Sequence, residues 1–200
     1  MVMAAFTFTI LLLFAGLALD FGRAHLLRAQ LQTAVDAASL AGALQVVPMV
    51  ELRISRLREV EYTCPDPVTG APSDCVRWVR ASDVLLEGTE LDLLIQNHWR
   101  LRAGSRCTGS YSCDPPTVER EWLVLPATTV PVAESTFAKN AQWPGGRLKP
   151  QVLNLRVTTN AAKAEVTATA NMVMPTTFLR LVGIDELRFT RSGSAVPVRR

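Results

Sequence analysis

Apolar positions along this chain change texture twice. From Met1 to Leu19 they form an uncharged run broken only by Thr7, Thr9 and Gly16. From Asp20 to about residue 46 they narrow to a stripe at helical spacing, and from Arg120 onward they recur in short Val-, Thr- and Leu-rich stretches punctuated by Pro and Gly. The first two textures join without a turn residue, so residues 1–43 are predicted to form one continuous helix. Nineteen uncharged residues at helical rise extend about 28 Å, close to the roughly 30 Å of a bilayer's hydrocarbon. Residues 1–19 are therefore read as a transmembrane segment and 20–46 as an amphipathic stalk continuous with it. A cleavable signal peptide competes, because Gly16-Leu17-Ala18 puts small residues where a signal peptidase cuts. Against cleavage, no Lys or Arg precedes the run, which also exceeds a usual signal core.

On a helical wheel, Ala24, Leu27, Leu31, Ala34, Ala38 and Ala41 share one face of the stalk, while His25, Arg28, Gln32, Asp36 and Ser39 share the other. Small side chains at successive turns suit close packing, against a neighbouring helix or against the chain's own sheet. Arg28, Gln32 and Asp36 step along the polar face at i, i+4 spacing, as in a solvated helix.

Beyond the stalk, Val47, Val50, Ile54 and Leu57 recur at helical spacing, predicting a second helix or a kinked continuation. Residues 62–74, with three prolines and a glycine, are expected to be a loop, and 75–80 a short strand around Trp78. Thr89-Glu90-Leu91-Asp92 resembles a capped helix start, with Leu91, Leu94, Ile95 and His98 on one face of a helix over 90–100. Strands are predicted over 122–132, 151–158, 164–174 and 187–198. In the second of these, Leu153, Leu155 and Val157 are expected to face inward and Val152, Asn154 and Arg156 outward. Pro175 suits the start of a helical turn over 175–182, ended by Gly183 and covering the sheet edge or core. The resulting fold class is α+β: a long N-terminal transmembrane and stalk helix packed on an antiparallel β-sheet body. Residues 47–200 are expected to form a single α+β extracytoplasmic domain.

Composition narrows the function classes. Cys64, Cys75, Cys107 and Cys113 are confined to the polar body. Four cysteines permit three pairings, and the shortest closures, Cys64 with Cys75 and Cys107 with Cys113, are expected. Zinc is the rival reading, but no C-x-x-C knuckle occurs and neither metal nor cofactor is expected. Disulfides require an oxidising compartment, which outweighs the weak positive-inside signal of Arg23 and Arg28 and puts the body outside the cytoplasmic membrane. The net charge of +3 arises from 21 basic and 18 acidic residues that are largely interspersed, so no nucleic-acid partner is expected. With two histidines and no nucleophile elbow, zinc-protease or phosphate-loop motif, no catalytic residue is assigned and an enzyme is not expected. Core packing is the expectation for Trp78, Trp99, Trp122 and Trp143.

Leu19-Asp20-Phe21-Gly22-Arg23, Arg28-Ala29-Gln30-Leu31-Gln32 and Asp36-Ala37-Ala38-Ser39-Leu40-Ala41-Gly42-Ala43 together resemble the start of TadE/TadG-like Flp pilus-assembly proteins. A second similar block runs through Val166-Thr167-Ala168-Thr169-Ala170 to Pro175-Thr176-Thr177-Phe178-Leu179-Arg180-Leu181-Val182-Gly183-Ile184. The family's short basic stretch ahead of the anchor would lie upstream of Met1. The chain also lacks the Gly-to-Glu pattern of prepilin-peptidase substrates and the D-x-S-x-S metal motif of von Willebrand type A domains.

The resemblance implies a pilin-like architecture. It implies a structural part of a tight-adherence secretion or pilus machine, single-pass in the bacterial inner membrane, with its body in the periplasm or outside the cell. Expected partners are other pilus or secretion-machine subunits, met through the N-terminal helix, together with membrane lipid and a possible homo-oligomer. Ala24, Leu27, Leu31, Ala34, Ala38 and Ala41 are the expected assembly surface, so Leu at Ala34 and Ala38 is expected to impair assembly while the body stays folded. The alternatives are a stand-alone signal-anchored binding or adhesion domain and, last, an exported hydrolase.

Overall fold

A computed structural model describes residues 2–143 and 149–197; Met1 and Val198, included in the expected first helix and last strand, lie outside the described residues. The architecture is α+β, with one long N-terminal helix and antiparallel sheets. Contacts divide the chain into two compact units, one made of Met1–Val46 and Leu125–Arg200, the other of Val47–Val124. The single domain expected over 47–200 is thus divided at Val124, because the segment after the stalk builds a sheet and core of its own.

In the first unit, helix α1 (Val2–Ala43) is continuous through the end of the apolar run, as its unbroken patterning predicts. It packs with α3 (Thr129–Asn140) and an antiparallel sheet ordered β5 (Gln151–Asn160), β6 (Glu165–Pro175), β7 (Glu186–Ala195). Strand β6 sits in the centre and alternates strictly, burying Val166, Ala168, Ala170, Met172 and Met174. Its alanines admit the helix closely, and at Gly193 of β7 the Cα of Asp36 would come within 3.2 Å of an added Cβ. Phe137 and Ala133 of α3 and Phe189 of β7 complete the core.

Two expectations fail here. The strand expected over 122–132 stops at Val124, and α3 follows: Pro131, tolerated in a first turn, does not break it, and Ala133 and Phe137 face the core at i, i+4. In β5 the register shifts between Val152 and Asn154, so Leu153 turns outward and Val152 packs inward with Leu155 and Val157. A bulge inserts one residue and exchanges the faces beyond it.

The second unit is built on a long hairpin of β1 (Val47–Pro65) and β2 (Pro72–Thr89), with β3 (Tyr111–Cys113) and β4 (Thr117–Val124) on the other edge of β1. The helix expected from Val47 to Leu57 is therefore a strand. Val50, Leu52 and Ile54 alternate inward, and burial in a sheet favours these branched chains. The expected loop over 62–74 shrinks to the tip 66–71, and the strand expected over 75–80 is part of β2.

The helix expected over 90–100 is a π turn (Leu91–Ile95) followed by the short α2 (Trp99–Ala103). Leu93 and Trp99 reach the core, whereas Leu91 and Ile95 are exposed. Disulfides join Cys64 to Cys75 across the hairpin and Cys107 to Cys113 beside α2, the pairing expected from the shortest closures.

Candidate membrane and assembly interface

Within α1 the apolar run is largely uncovered. Phe6, Phe8, Leu11, Leu12, Phe14 and Leu19 are all more than half exposed. A soluble helix would hide such side chains; among the described residues one helix is long and apolar enough to cross a membrane.

The stalk differs from the run in what covers it. Ala24, Leu27, Leu31, Ala34 and Ala38 are buried in the core of their own unit, and Ala41 is half-buried. Of the two uses open to a stripe of small residues, it packs on the chain's own α3 and sheet, so it offers no free face to another subunit. Leu at Ala34 or Ala38 would enter this core directly, which removes the expectation that the body would stay folded. Ser39, expected on the polar face, is also buried and donates to the Asp36 carbonyl at 2.9 Å. On the remaining polar face, Gln32 donates to Asp36 at 2.9 Å and to the Ser192 carbonyl at 3.2 Å, tying the helix to β7.

Asp20, the first charged residue after the run, is 3% exposed. Its carboxylate accepts from the backbone N–H groups of Thr177 at 3.1 and 3.2 Å, Phe178 at 2.7 Å and Leu179 at 2.8 Å. These donors open a 3-10 turn over Leu179–Val182, so a side chain of α1 satisfies the amides that a short turn leaves unpaired. One turn below, Gly16 faces the ring of Phe178, and a Cβ at Gly16 would collide with that ring. A helix, a carboxylate and a glycine thus fix where the segment 176–184 sits against α1. The expected helical turn over 175–182 begins later, at Leu179, and of Leu179–Val182 only Leu179 is buried; Leu181 and Val182 are exposed.

His25 and Arg28 line a cavity of about 460 Å³ with Phe21, Leu187 and Phe189, the Arg28 guanidinium lying 5.7 Å from the Phe189 ring centre. His98 meets Asp92 at 2.7 Å, and Arg102 meets the same carboxylate at 2.6 Å, which explains the histidine as a structural partner. Trp99 and Trp143 pack in cores as expected, Trp122 is half-buried, and Trp78 is 49% exposed on the hairpin.

Two acids of the second unit, Asp66 and Asp83, have displaced pKa values. The N–H groups of Thr69 and Val68 hold the Asp66 carboxyl below its ordinary value at the hairpin tip. The Arg80 side chain does the same for Asp83, and its own pKa is raised in return. Among the described residues no group of three or more His, Cys, Asp or Glu is placed to hold a metal.

Residues 1–45 match the family model of putative Flp pilus-assembly TadE/G-like proteins. The matched segment coincides with α1, its apolar run, Asp20 and the buried stripe, under a quarter of the 200-residue chain. No curated protein and no solved structure matches the chain. The TadE/G-like match and the apolar helix together support a membrane-anchored pilus-assembly component.

Asp20, which positions the segment 176–184 against α1, is the residue that sequence reasoning passed over. It stands alone at the junction of the apolar run and the stalk, and an isolated acid at that place was the available signal.

Proposed function

We propose that the chain is a pseudopilin- or minor-pilin-like structural subunit of a tight-adherence machine, held in the inner membrane by α1 with its body in the periplasm or beyond. It acts by assembly and not by turnover. The observation that carries this reading is the coincidence of the TadE/G-like segment with a helix whose first half is apolar and uncovered. Two disulfides support a body in an oxidising compartment.

Because the stalk stripe is used internally, contact with other subunits falls to the uncovered side of α1. In lipid, helices associate by packing and by small residues that allow close approach, and Leu11, Leu12 and Leu19 present such a face beside Ala15 and Ala18. The test is deletion of the gene in its own host, followed by complementation. Loss of surface filaments or of adherence, restored by the full chain but not by one with Leu11 and Leu12 changed to Arg, supports the reading. Filaments that persist without the protein overturn it.

A further inference from the structure

The segment between β6 and β7 pairs an apolar surface with a backbone in which seven N–H groups are hydrogen-bonded, three to Asp20 and four within the segment. Leu181, Val182 and Ile184 are 69%, 65% and 42% exposed in a stretch where Phe178 and Leu179 turn inward. Val182 and Phe178 line a cavity of about 270 Å³ whose other wall is Ile10, Leu13, Phe14 and Leu17 of α1. Those α1 residues lie inside the apolar run, between about 3 and 14 Å from its end at Leu19. Whatever surrounds the run at that depth also surrounds the turn.

Lipid accepts only backbone that satisfies its own polar groups. The N–H groups of Thr177, Phe178 and Leu179 donate to Asp20. Those of Thr176, Leu181, Gly183 and Ile184 donate to carbonyls of Asp185, Phe178, Arg180 and Leu179 within the segment, at 3.0 to 3.1 Å. The Thr176 hydroxyl also donates, to the Ile184 carbonyl. The charges of the segment, Arg180 and Asp185, pair with each other at 3.1 Å, and a long arginine stem can carry its head to the water side.

We propose that Phe178–Ile184 is a second membrane contact, inserted into the leaflet beside the anchor. Leu181, Val182 and Ile184 lie among acyl chains, with the Arg180–Asp185 pair at headgroup level. The occupant of the exposed apolar face is lipid, because the face is continuous with the run that crosses the bilayer. Insertion is shallow, about 5 to 10 Å, like that of an interfacial helix. The inference rests on the anchor reading of α1.

The test uses the full chain reconstituted in vesicles of phosphatidylcholine and phosphatidylglycerol, with a nitroxide placed through L181C, L11C on the anchor, or L153C on the exposed side of β5. Collision with oxygen, which concentrates in lipid, is compared with collision with a water-soluble nickel complex. The expected result is an oxygen-to-nickel ratio at L181C well above that at L153C and approaching that at L11C. If L181C is as nickel-accessible as L153C while L11C is in lipid, the inserted turn is overturned and the anchor stands. Nickel access at L11C overturns both. Shielding of L181C from both reagents means that protein covers it, a second copy for instance, and also overturns the inference.

Discussion

Asp20 shows how much one side chain can decide. A buried carboxylate is costly unless its oxygens are occupied, and here three backbone donors occupy them across 157 to 159 residues of sequence. Asp20→Ala removes both acceptor oxygens and leaves the N–H groups of Thr177, Phe178 and Leu179 without the side chain that accepts from them. The expected cost is about 1 to 3 kcal/mol, the range for a buried polar group left unpaired. Hydrogen exchange at the amides of Thr177, Phe178 and Leu179 should accelerate while the amides of β6 stay protected. Unchanged protection at those three amides would remove the carboxylate from its role. The acid itself was visible in the sequence as the first charge after the apolar run. Its partners were not, because they are main-chain groups far along the chain that no local pattern marks.

Among elements, the long helix was legible from end to end because its two patterns share one period and no residue interrupts them. Strands β5, β6 and β7 were legible as Val-, Thr- and Leu-rich stretches bounded by Pro and Gly, although the bulge in β5 upset the faces its alternation implied. Strand β1 was not. Val47, Val50, Ile54 and Leu57 fit helical spacing, while Val50, Leu52 and Ile54 fit alternation, and only pairing with β2 and β4 decides between them. Helix α3 was hidden by Val130, Pro131 and Val132, which locally read as strand. The helix stands because Ala133 and Phe137 join the core under α1.

The stripe on α1 was found, but its use could not be read, since period alone does not say what covers a face. Ala38→Leu adds volume to a site with no exposed surface and is expected to destabilise the first unit by about 1 to 3 kcal/mol, the cost of overpacking. Leu26→Ala, at a side chain 58% exposed, should leave stability nearly unchanged. Denaturant unfolding of the detergent-solubilised chain distinguishes the two, and equal stability of both variants would contradict an internal stripe.

At the scale of the molecule, the fold class was legible and the division into units was not. Val47 and Val124, the first and last residues of the second unit, are antiparallel partners, so its ends lie about 5 Å apart. The second unit has the form of an insertion, and both sequence blocks that resemble TadE/TadG-like proteins lie in the first. Removing residues 47–124 and joining Val46 to Leu125 through a short Gly-Ser linker is expected to leave the first unit folded, as judged by retained helix content and protease resistance of β5, β6 and β7. Collapse of the remainder into a protease-sensitive chain would show that the units depend on each other. The unbroken α1 has one further consequence. From Leu19 to Ala43 it reaches about 36 Å at helical rise, so an inclination of about 20°, common for membrane helices, carries its far end sideways by about 12 Å. With Asp20 and the stripe gripping it, the helix is a lever arm: a small rocking of the anchor by neighbours swings the whole first unit as one piece.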